Sequence, residues 1–342
     1  MHHASEDERF MRQALALAVK GPAVDPNPRV GAVVVADGVV VGTGWHAGAG
    51  TPHAEVVALR EAADAARGAT IYITLEPCNH TGRTGPCAEA IIEAGIGRVV
   101  FASADPGVAS GGGAETLRAA GVEVVGGVLA EDADLLNPDW AFSLRHGRPR
   151  VTWKYAATLD GRVAAADGTS QWITGPQARA DVGRERARRG AVLVGTGTVL
   201  ADDPHLTARD VDGTLLDRQP LRVVMGLRET SPEARVFDDA AETISLRTRD
   251  VREALSTLQE RGIRSVWLEG GPTLAAAFWR ADCIDDVIAW LGPKLLGDGL
   301  VAVTDLGVGT IADAIDLRTM DVRTMGPDVR WHLRVHRPGE EA

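Results

Sequence analysis

Four residues in the first third of the chain have the types and the order that metal-assisted hydrolysis needs. His53 and Glu55 stand two apart in His53-Ala54-Glu55, Cys78 follows Pro77, and Cys87 follows Pro86. One imidazole and two thiolates suit zinc, which favours sulfur and imidazole nitrogen. A zinc ion held by three protein ligands keeps a fourth position for water, whose pKa it lowers to roughly 7. Glu55 is then free to take that proton and pass it on as general base and acid. His-Ala-Glu alone occurs by chance, and two nearby cysteines could be a redox pair or an unrelated zinc clip. The full order, His-x-Glu, then a strand ending in Pro-Cys, then a second Pro-Cys, is that of hydrolytic nucleobase deamination.

The spacing carries further information. The usual pattern is Pro-Cys-x-x-Cys, whereas here eight residues, Asn79 to Pro86, separate the cysteines. The insertion NHTGRTGP puts His80 and Arg83 at the mouth of the site. A longer loop carrying a base suggests a substrate with a phosphate.

These groups need elements to bring them together. Ser5-Glu6-Asp7-Glu8 reads as a capping box opening a helix, with Phe10, Ala14, Leu17 and Ala18 at helical spacing and Gly21-Pro22 as the stop. GAVVVADGVVVGTG is two β-branched runs joined by Asp-Gly, a hairpin signal. A helix is predicted from about His53 to Arg67, then a buried strand, ATIYIT, that delivers the chain to Glu76-Pro77-Cys78. A short helix from Pro86 places Cys87 at a helix start, where the helix dipole favours a thiolate. The strands GRVVFAS and VEVVGGV and helices at Ala114–Ala120 and Leu135–Leu144 complete an α/β layer pattern.

At Gly147-Arg148-Pro149-Arg150 the pattern restarts, which predicts two domains, 1–147 and 148–342. VTWKYAATLDGRVAAADG reads as a second hairpin with Asp160-Gly161 at its turn. A helix follows from Gly175-Pro176 to about Arg188, then AVLVGTGTVL as a strand entering a glycine-bearing loop. SVWLEGGPTLAAAFW is a strand, a Gly-Gly turn and a helix, and DDVIAWLGPKLLG another strand.

Composition sets the outer limits. The net charge of -11 argues against a protein living on nucleic acid phosphates, while leaving room for a local basic pocket. Three cysteines in 342 residues make no disulfide framework. With Cys78 and Cys87 read as ligands and Cys283 as a buried thiol, a reducing cytoplasm is expected. MHHASEDERF has no basic stretch followed by an apolar one, so no signal peptide is expected. The longest apolar run, Val30 to Val41, is broken by Asp37-Gly38, so no membrane span is expected either.

Longer stretches carry a resemblance. PNPRVGAVVV, HAE and TLEPCNHTGRTGPC in the first half, and KYAATLDGR, SQWITG, VGTGTVLADDPHLTAR and LEGGPTL in the second, resemble the bifunctional riboflavin-biosynthesis deaminase/reductase family over nearly the whole chain. One stretch departs from it. DPGVASGGG, Asp105 to Gly113, is shorter than the family's loop and lacks its arginine.

The resemblance implies a cytidine-deaminase-like α/β/α domain followed by a dihydrofolate-reductase-like α/β domain. It implies zinc and NADPH as cofactors and a pyrimidine ribosyl phosphate as small-molecule substrate. The first domain would hydrolyse the 2-amino group of 2,5-diamino-6-(5-phosphoribosylamino)pyrimidin-4-one, and the second would reduce the ribosyl to a ribityl chain. By motif match, Asn27 and His46 would hold the pyrimidine and ribose, and His80 and Arg83 the phosphate side. Between two prolines Asn27 also suits a plain turn. In the reductase, Asp202 would orient substrate or supply a proton, unless it merely caps the turn before Pro204. Lys154, Arg186 and Arg209 would partner the substrate phosphate or Asp202. A solvated face suits Arg186 too, and suits Arg184, Arg188 and Arg189 better. Ser170, Leu206 and Glu269 fall with the substrate, and Trp172 and Thr174 border cofactor and substrate. Gly195, Thr198, Gly270 and Gly271 would bring backbone close to the cofactor, although each glycine pair also fits a tight turn. The family likeness also implies a homo-oligomer, a dimer or tetramer. Two rivals make opposite demands: a transfer-RNA adenosine deaminase needs a basic surface and a short cysteine loop, and a decayed binding scaffold needs a missing ligand or glutamate.

Overall fold

The computed structural model describes residues 2–80 and 85–337, the side chains of residues 2–4 excepted. It divides into two compact units, Met1–Gly147 and Arg148–Ala342.

In the first unit the strands are β1 (Gly31–Ala36), β2 (Val39–Trp45), β3 (Thr70–Leu75), β4 (Arg98–Ser103) and β5 (Glu123–Gly126). They form one sheet in the order β2-β1-β3-β4-β5. β1 runs antiparallel to β2 and β3, and β3, β4 and β5 are mutually parallel. The period-2 rule for strands explains how this sheet is covered on both faces. Ala32 and Val34 of β1 pack with Ala54, Ala58, Ile91 and Leu117, whereas Val33 and Val35 pack with Phe10, Met11 and Ala14. One face thus carries α2 (Ala54–Ala62), α3 (Cys87–Glu93) and α4 (Gly113–Ala119), and the other α1 (His2–Ala18).

Three expectations change here. The first helix starts at His2, so Ser5–Glu8 lies inside it and is no capping box. Asp7 is buried instead, where it accepts two hydrogen bonds from Arg98, at 2.7 and 2.9 Å, and one from Tyr72, at 3.0 Å. The helix after His53 ends at Ala62 and tightens into a 3₁₀ turn, Ala63–Ala66. The last helix is two, α5 (Ala130–Asp134) and α6 (Pro138–His146), because Asn137-Pro138 forces a new start.

In the second unit the strands are β6 (Arg150–Thr158), β7 (Arg162–Ala164), β8 (Ala191–Gly195), β9 (Leu221–Met225), β10 (Thr243–Leu246), β11 (Ser265–Leu268), β12 (Asp286–Gly292), β13 (Leu300–Val301), β14 (Leu317–Met325) and β15 (Asp328–Val335). Eight make one sheet in the order β10-β9-β8-β11-β6-β12-β15-β14, of which the first six are parallel. Strands buried on both faces read as unbroken apolar runs, as AVLV does here. Helices α9 (Val251–Glu260) and α10 (Pro272–Arg280) cover one face, and α7 (Pro176–Ala187) and α8 (Thr196–Asp202) the other.

The predicted hairpin at Asp160-Gly161 is not one. β7 pairs with β13 in a separate two-stranded sheet. The Asp160 carboxylate explains the divergence: it accepts from Thr158 at 2.6 Å and from the backbone N–H of Gly297 at 2.7 Å, so the turn is tied to a distant loop. The glycine-bearing loop after β8 is the first turn of α8, with Gly195 as its N-cap.

Gly44 lets α2 settle on β2. A Cβ at that position would meet the carbonyl oxygen of Ala54 at 2.1 Å. Gly44→Ala is therefore expected to lower the unfolding free energy by about 1–3 kcal/mol through a displaced helix. An earlier urea transition in the N-terminal unit checks this; an unchanged midpoint would mean that α2 moves outward without cost.

Candidate active sites

The first site sits where β3, α2 and α3 meet. His53 is the N-cap of α2, in extended backbone, and Glu55 lies buried in that helix's first turn. Cys78 follows three residues beyond the end of β3, and Cys87 opens α3. His53 Nδ1 lies 3.1 Å from Cys87 Sγ and 3.6 Å from Cys78 Sγ. The three donor atoms all lie within 4.8 Å of one another. Ligands around a tetrahedral zinc, with bonds of roughly 2.0–2.3 Å, stand roughly 3.5–3.8 Å apart. Donor types and spacing therefore fit zinc.

The electrostatics agree with a site built for anionic sulfur. A hydrogen bond from Cys87 brings the Cys78 thiol down to about 4, and that same bond with the Cys78 thiolate pushes Cys87 up. Cys78 Sγ also accepts from the Cys87 backbone N–H at 3.4 Å. Burial raises the Glu55 carboxyl, so a proton on it is held more firmly than in water.

The expected substrate residues of this unit are partly brought together. Asn27 Nδ2 lies 3.2 Å from His46 Nε2, and His46 Nδ1 lies 3.2 Å from the Pro52 carbonyl. If that nitrogen donates to the carbonyl, Nε2 accepts from Asn27. The His46 ring meets His53 edge-on, with centroids 5.5 Å apart. His80 is exposed beyond Cys78, and Arg83 lies outside the described residues. Two acids missed in the sequence hold this arrangement. Asp25 accepts from the backbone N–H groups of Asn27, at 2.9 Å, and Ala49, at 3.1 Å. Glu76 accepts from those of Asp105, at 3.3 Å, and Ala114, at 3.1 Å. Asp-Pro-Asn-Pro was the available signal for Asp25, since an aspartate so placed favours an Asx turn. The loop after β4 packs on the cysteine loop, with Asn79 N–H donating to the Ser110 carbonyl at 2.8 Å.

The second site is a cavity of about 1380 Å³ at the carboxyl ends of the parallel strands in the second unit. All the residues expected there line it: Lys154, Ser170, Trp172, Thr174, Arg186 and Gly195, with Thr198, Asp202, Leu206, Arg209, Glu269, Gly270 and Gly271. The volume exceeds the roughly 300–1,000 Å³ of a single-ligand pocket, which leaves room for more than one ligand.

The pairing inside this cavity differs from expectation. Arg186 and Lys154 turn to Glu269 and not to Asp202. Arg186 grips Glu269 with Nε and Nη2, at 2.5 and 2.8 Å, and donates a third bond to the Thr207 carbonyl at 2.9 Å. Lys154 Nζ stands 3.8 Å from the same carboxylate. Arg209 donates to Thr207 Oγ1 and to the Gly213 carbonyl, both at 2.8 Å. Asp202 is the exposed last residue of α8, and the C-cap is Asp203. Arg189 is not solvated: it bonds Glu185 at 2.9 Å and stacks over Trp267.

With both sites described, their relatives can be placed. Residues 4–103 match the family model for the cytidine and deoxycytidylate deaminase zinc-binding region, and residues 149–331 that for the RibD C-terminal domain. The riboflavin biosynthesis protein RibD of Mycobacterium tuberculosis is 50% identical over 337 residues, 96% of this chain and 98% of its own. The chain belongs to the RibD family. RibD of Escherichia coli is 42% identical over 96% of this chain and 99% of its own. The solved RibD of Acinetobacter baumannii superposes with a TM-score of 0.86 at 37% identity, covering 98% of this chain and 100% of that one. The two-domain fold class, the pairing of a deaminase with a reductase in riboflavin biosynthesis, and zinc and NADPH as cofactors stand as expected for a RibD. No helix among the described residues is long and apolar enough to cross a membrane.

Burial acts to raise the Glu269 carboxyl, but Arg186 first and Lys154 second outweigh it and hold the group at about 2. A carboxyl depressed on folding stabilises fully above its unfolded value, 4.5, and loses that contribution as pH falls through about 2. The stability gap between the wild type and Glu269→Gln is thus expected to be about 3 kcal/mol at neutral pH. It should close on acidification through that window, as urea unfolding at a series of pH values would record. A gap constant with pH would mean that the carboxylate charge is not what holds this corner.

Proposed function

We propose that the first unit hydrolyses the 2-amino group of 2,5-diamino-6-(5-phosphoribosylamino)pyrimidin-4-one and that the second reduces the ribosyl of the product to a ribityl chain. The observation that carries the first assignment is the convergence of His53, Cys78 and Cys87 beside a buried Glu55. The solved Thermotoga maritima protein described as a diaminohydroxyphosphoribosylaminopyrimidine deaminase/5-amino-6-(5-phosphoribosylamino)uracil reductase supports both halves, at 37% identity, 98% coverage of this chain and a TM-score of 0.82.

His53, Cys78 and Cys87 would hold zinc, which supplies Lewis acidity and an acidified water. Glu55 would carry one proton from the attacking water to the ring nitrogen, and then the second, from the hydroxyl so formed on the carbon, to the amine that leaves as ammonia. Its burial suits this role, because a carboxyl raised above its ordinary value is a stronger base for the proton it takes up. Asn27 and His46, hydrogen-bonded to each other, present one polar edge to the pyrimidine. The exposed His80, with Arg83, meets the phosphate side.

In the second unit NADPH would supply the hydride. Gly195 and Gly270–Gly271 end β8 and follow β11, so backbone approaches the cofactor there without a side chain between. Trp172, Thr174, Thr198 and Lys154 line the same cavity, and Ser170, Leu206 and Arg209 border the substrate. Asp202, the exposed acid on this wall, would hold or donate the proton needed at the nitrogen attached to C1′, which becomes an imine when the sugar ring opens and an amine again when C1′ takes the hydride. Arg186 and Glu269, locked on each other, fix the floor.

Product masses test the whole reading. With the diaminopyrimidinone ribosyl phosphate, a gain of about one mass unit is expected as OH replaces NH2, and about two more once NADPH is added. No shift in zinc-containing protein would overturn the substrate. Glu55→Gln should retain zinc yet lose ammonia release by a factor of about 10² or more. It should still oxidise NADPH with the deaminated substrate, as should protein stripped of metal by a chelator. Asp202→Asn should show the reverse pattern, and a normal reduction rate would reduce Asp202 to a helix end.

A further inference from the structure

We propose that Thr207 is a positioning residue whose hydroxyl aims Arg209 at the phosphate of the substrate and so sets the affinity of the reductase site for it; this rests on the substrate reading given above. Both residues line the large cavity. Thr207 is only 2% exposed, and it holds two arginines at once. Its Oγ1 accepts from Arg209 Nε at 2.8 Å, and its carbonyl accepts from Arg186 Nη1 at 2.9 Å. The hydroxyl and the carbonyl of one buried residue therefore fix the two guanidinium groups relative to each other.

Of the three cations expected at the phosphate, Arg209 is the one whose charge is not met by a carboxylate among the described residues. Lys154 stands 3.8 Å from Glu269, and Arg186 grips the same group. Arg209 gives its bonds to neutral acceptors: Nε to Thr207 Oγ1 and Nη1 to the Gly213 carbonyl, both at 2.8 Å. A guanidinium has five N–H donors. Among the described residues both N–H groups on Nη2, and the second on Nη1, have no protein partner. Nη1 and Nη2 together make the fork that a phosphate meets with two oxygens. The bonds at Nε and Nη1 oppose the rotation that would turn this fork away.

The backbone under Arg209 is held independently of Thr207. Gln219 closes the segment: its Oε1 accepts from the Ala208 N–H at 2.7 Å, and its Nε2 donates to the carbonyls of Ala208, at 2.9 Å, and Leu216, at 2.7 Å. Arg209 and Leu215 form an antiparallel bridge, and the Asp210 N–H donates to the Thr214 carbonyl at 2.9 Å. From the other side α7 seats on the Arg209 carbonyl through Gly183. With the main chain fixed, the freedom that remains lies in the side-chain torsions of Arg209, and the Thr207 hydroxyl restrains it. A side chain already held in its binding geometry loses little rotamer entropy when the ligand arrives, so preorganisation reads out as affinity. The phosphate keeps its charge while C1′ is reduced. Its binding is therefore equal in ground and transition states, and losing it raises KM and leaves kcat alone.

The test is steady-state reduction by the full-length protein at saturating NADPH, with the deaminated ribosyl phosphate and with its phosphate-free counterpart. Thr207→Val keeps the shape and removes the hydroxyl. It should raise KM for the phosphorylated substrate about 10-fold, with kcat, and KM for the phosphate-free substrate, within about twofold. NADPH affinity by calorimetry should stay within about twofold too, which shows that the variant is folded. Thr207→Ser restores the hydroxyl and should recover most of the loss. Arg209→Gln should also raise KM, and adding Thr207→Val to it should change little more, because the hydroxyl acts through the guanidinium. Equal losses for both substrates, or additive effects of the two substitutions, would overturn the proposal, since Thr207 would then be holding the fold. A fall in kcat at constant KM would overturn it by placing the hydroxyl at the chemistry. An unchanged KM in Thr207→Val would overturn it while leaving the substrate reading intact. A wild type that treats the two substrates alike would overturn both.

Discussion

Backbone meeting backbone is the constraint on which both sites rest. α2 lies so close to β2 that a methyl group on Gly44 would strike the Ala54 carbonyl at 2.1 Å. That contact fixes the height of the helix start, and with it His53 and Glu55. In the second unit a Cβ on Gly183 of α7 would meet the Arg209 carbonyl at 1.8 Å. The contact seats α7 against the 205–209 segment, so that Arg186, one turn on, reaches the Thr207 carbonyl and Glu269 together. Close packing transmits position because protein interiors have little free volume to absorb a shift. In each unit, functional side chains near a helix inherit their accuracy from a glycine that does no chemistry.

Burial of charge is the second constraint, and the two units meet it differently. The reductase cavity buries Glu269 under two cations, so its charge is neutralised within the protein. A paired buried carboxylate contributes little net stability compared with a well-packed apolar group, yet removing one partner is costly. The arrangement is therefore better understood as fixing geometry. The deaminase site gathers two sulfurs and an imidazole with their donor atoms within 4.8 Å of one another. Here the charge is left for a divalent ion to balance, which is how a cluster of nucleophilic ligands avoids being merely a strained core.

The cluster of His53, Cys78 and Cys87 beside Glu55 was legible in the sequence because the chemistry it suits demands few residue types in a fixed order. The apolar runs AVLVG and RVVFAS were legible because a buried parallel strand has no polar face to interrupt it. What failed was local signals overridden by distant partners. Asp160-Gly161 has the composition of a hairpin turn, but its carboxylate bonds Gly297, and nothing nearby in sequence announces that. Ser5–Glu8 has the letters of a capping box, but Arg98, ninety-one positions away, claims Asp7. The same failure hid the Arg186–Glu269 pair. Arg186 stands out of the charged run GRERARRG as a partner for the substrate phosphate or Asp202, but nothing near it in sequence points to Glu269, toward which α7 turns it while Arg188 stays exposed.

The topology also explains why both chemistries sit where they do. β3 and β4 run parallel in the first unit, and the segments leaving them carry Cys78 and the Asp105 loop. In the second unit β8, β9, β10 and β11 run parallel, and the residues leaving them line the cavity. In parallel sheets the carboxyl ends open onto loops whose sequence is free of the packing that governs the strands. Such loops can take an insertion, as between Cys78 and Cys87, without disturbing the core. The strands can then keep one architecture while the strand exits set what each unit binds.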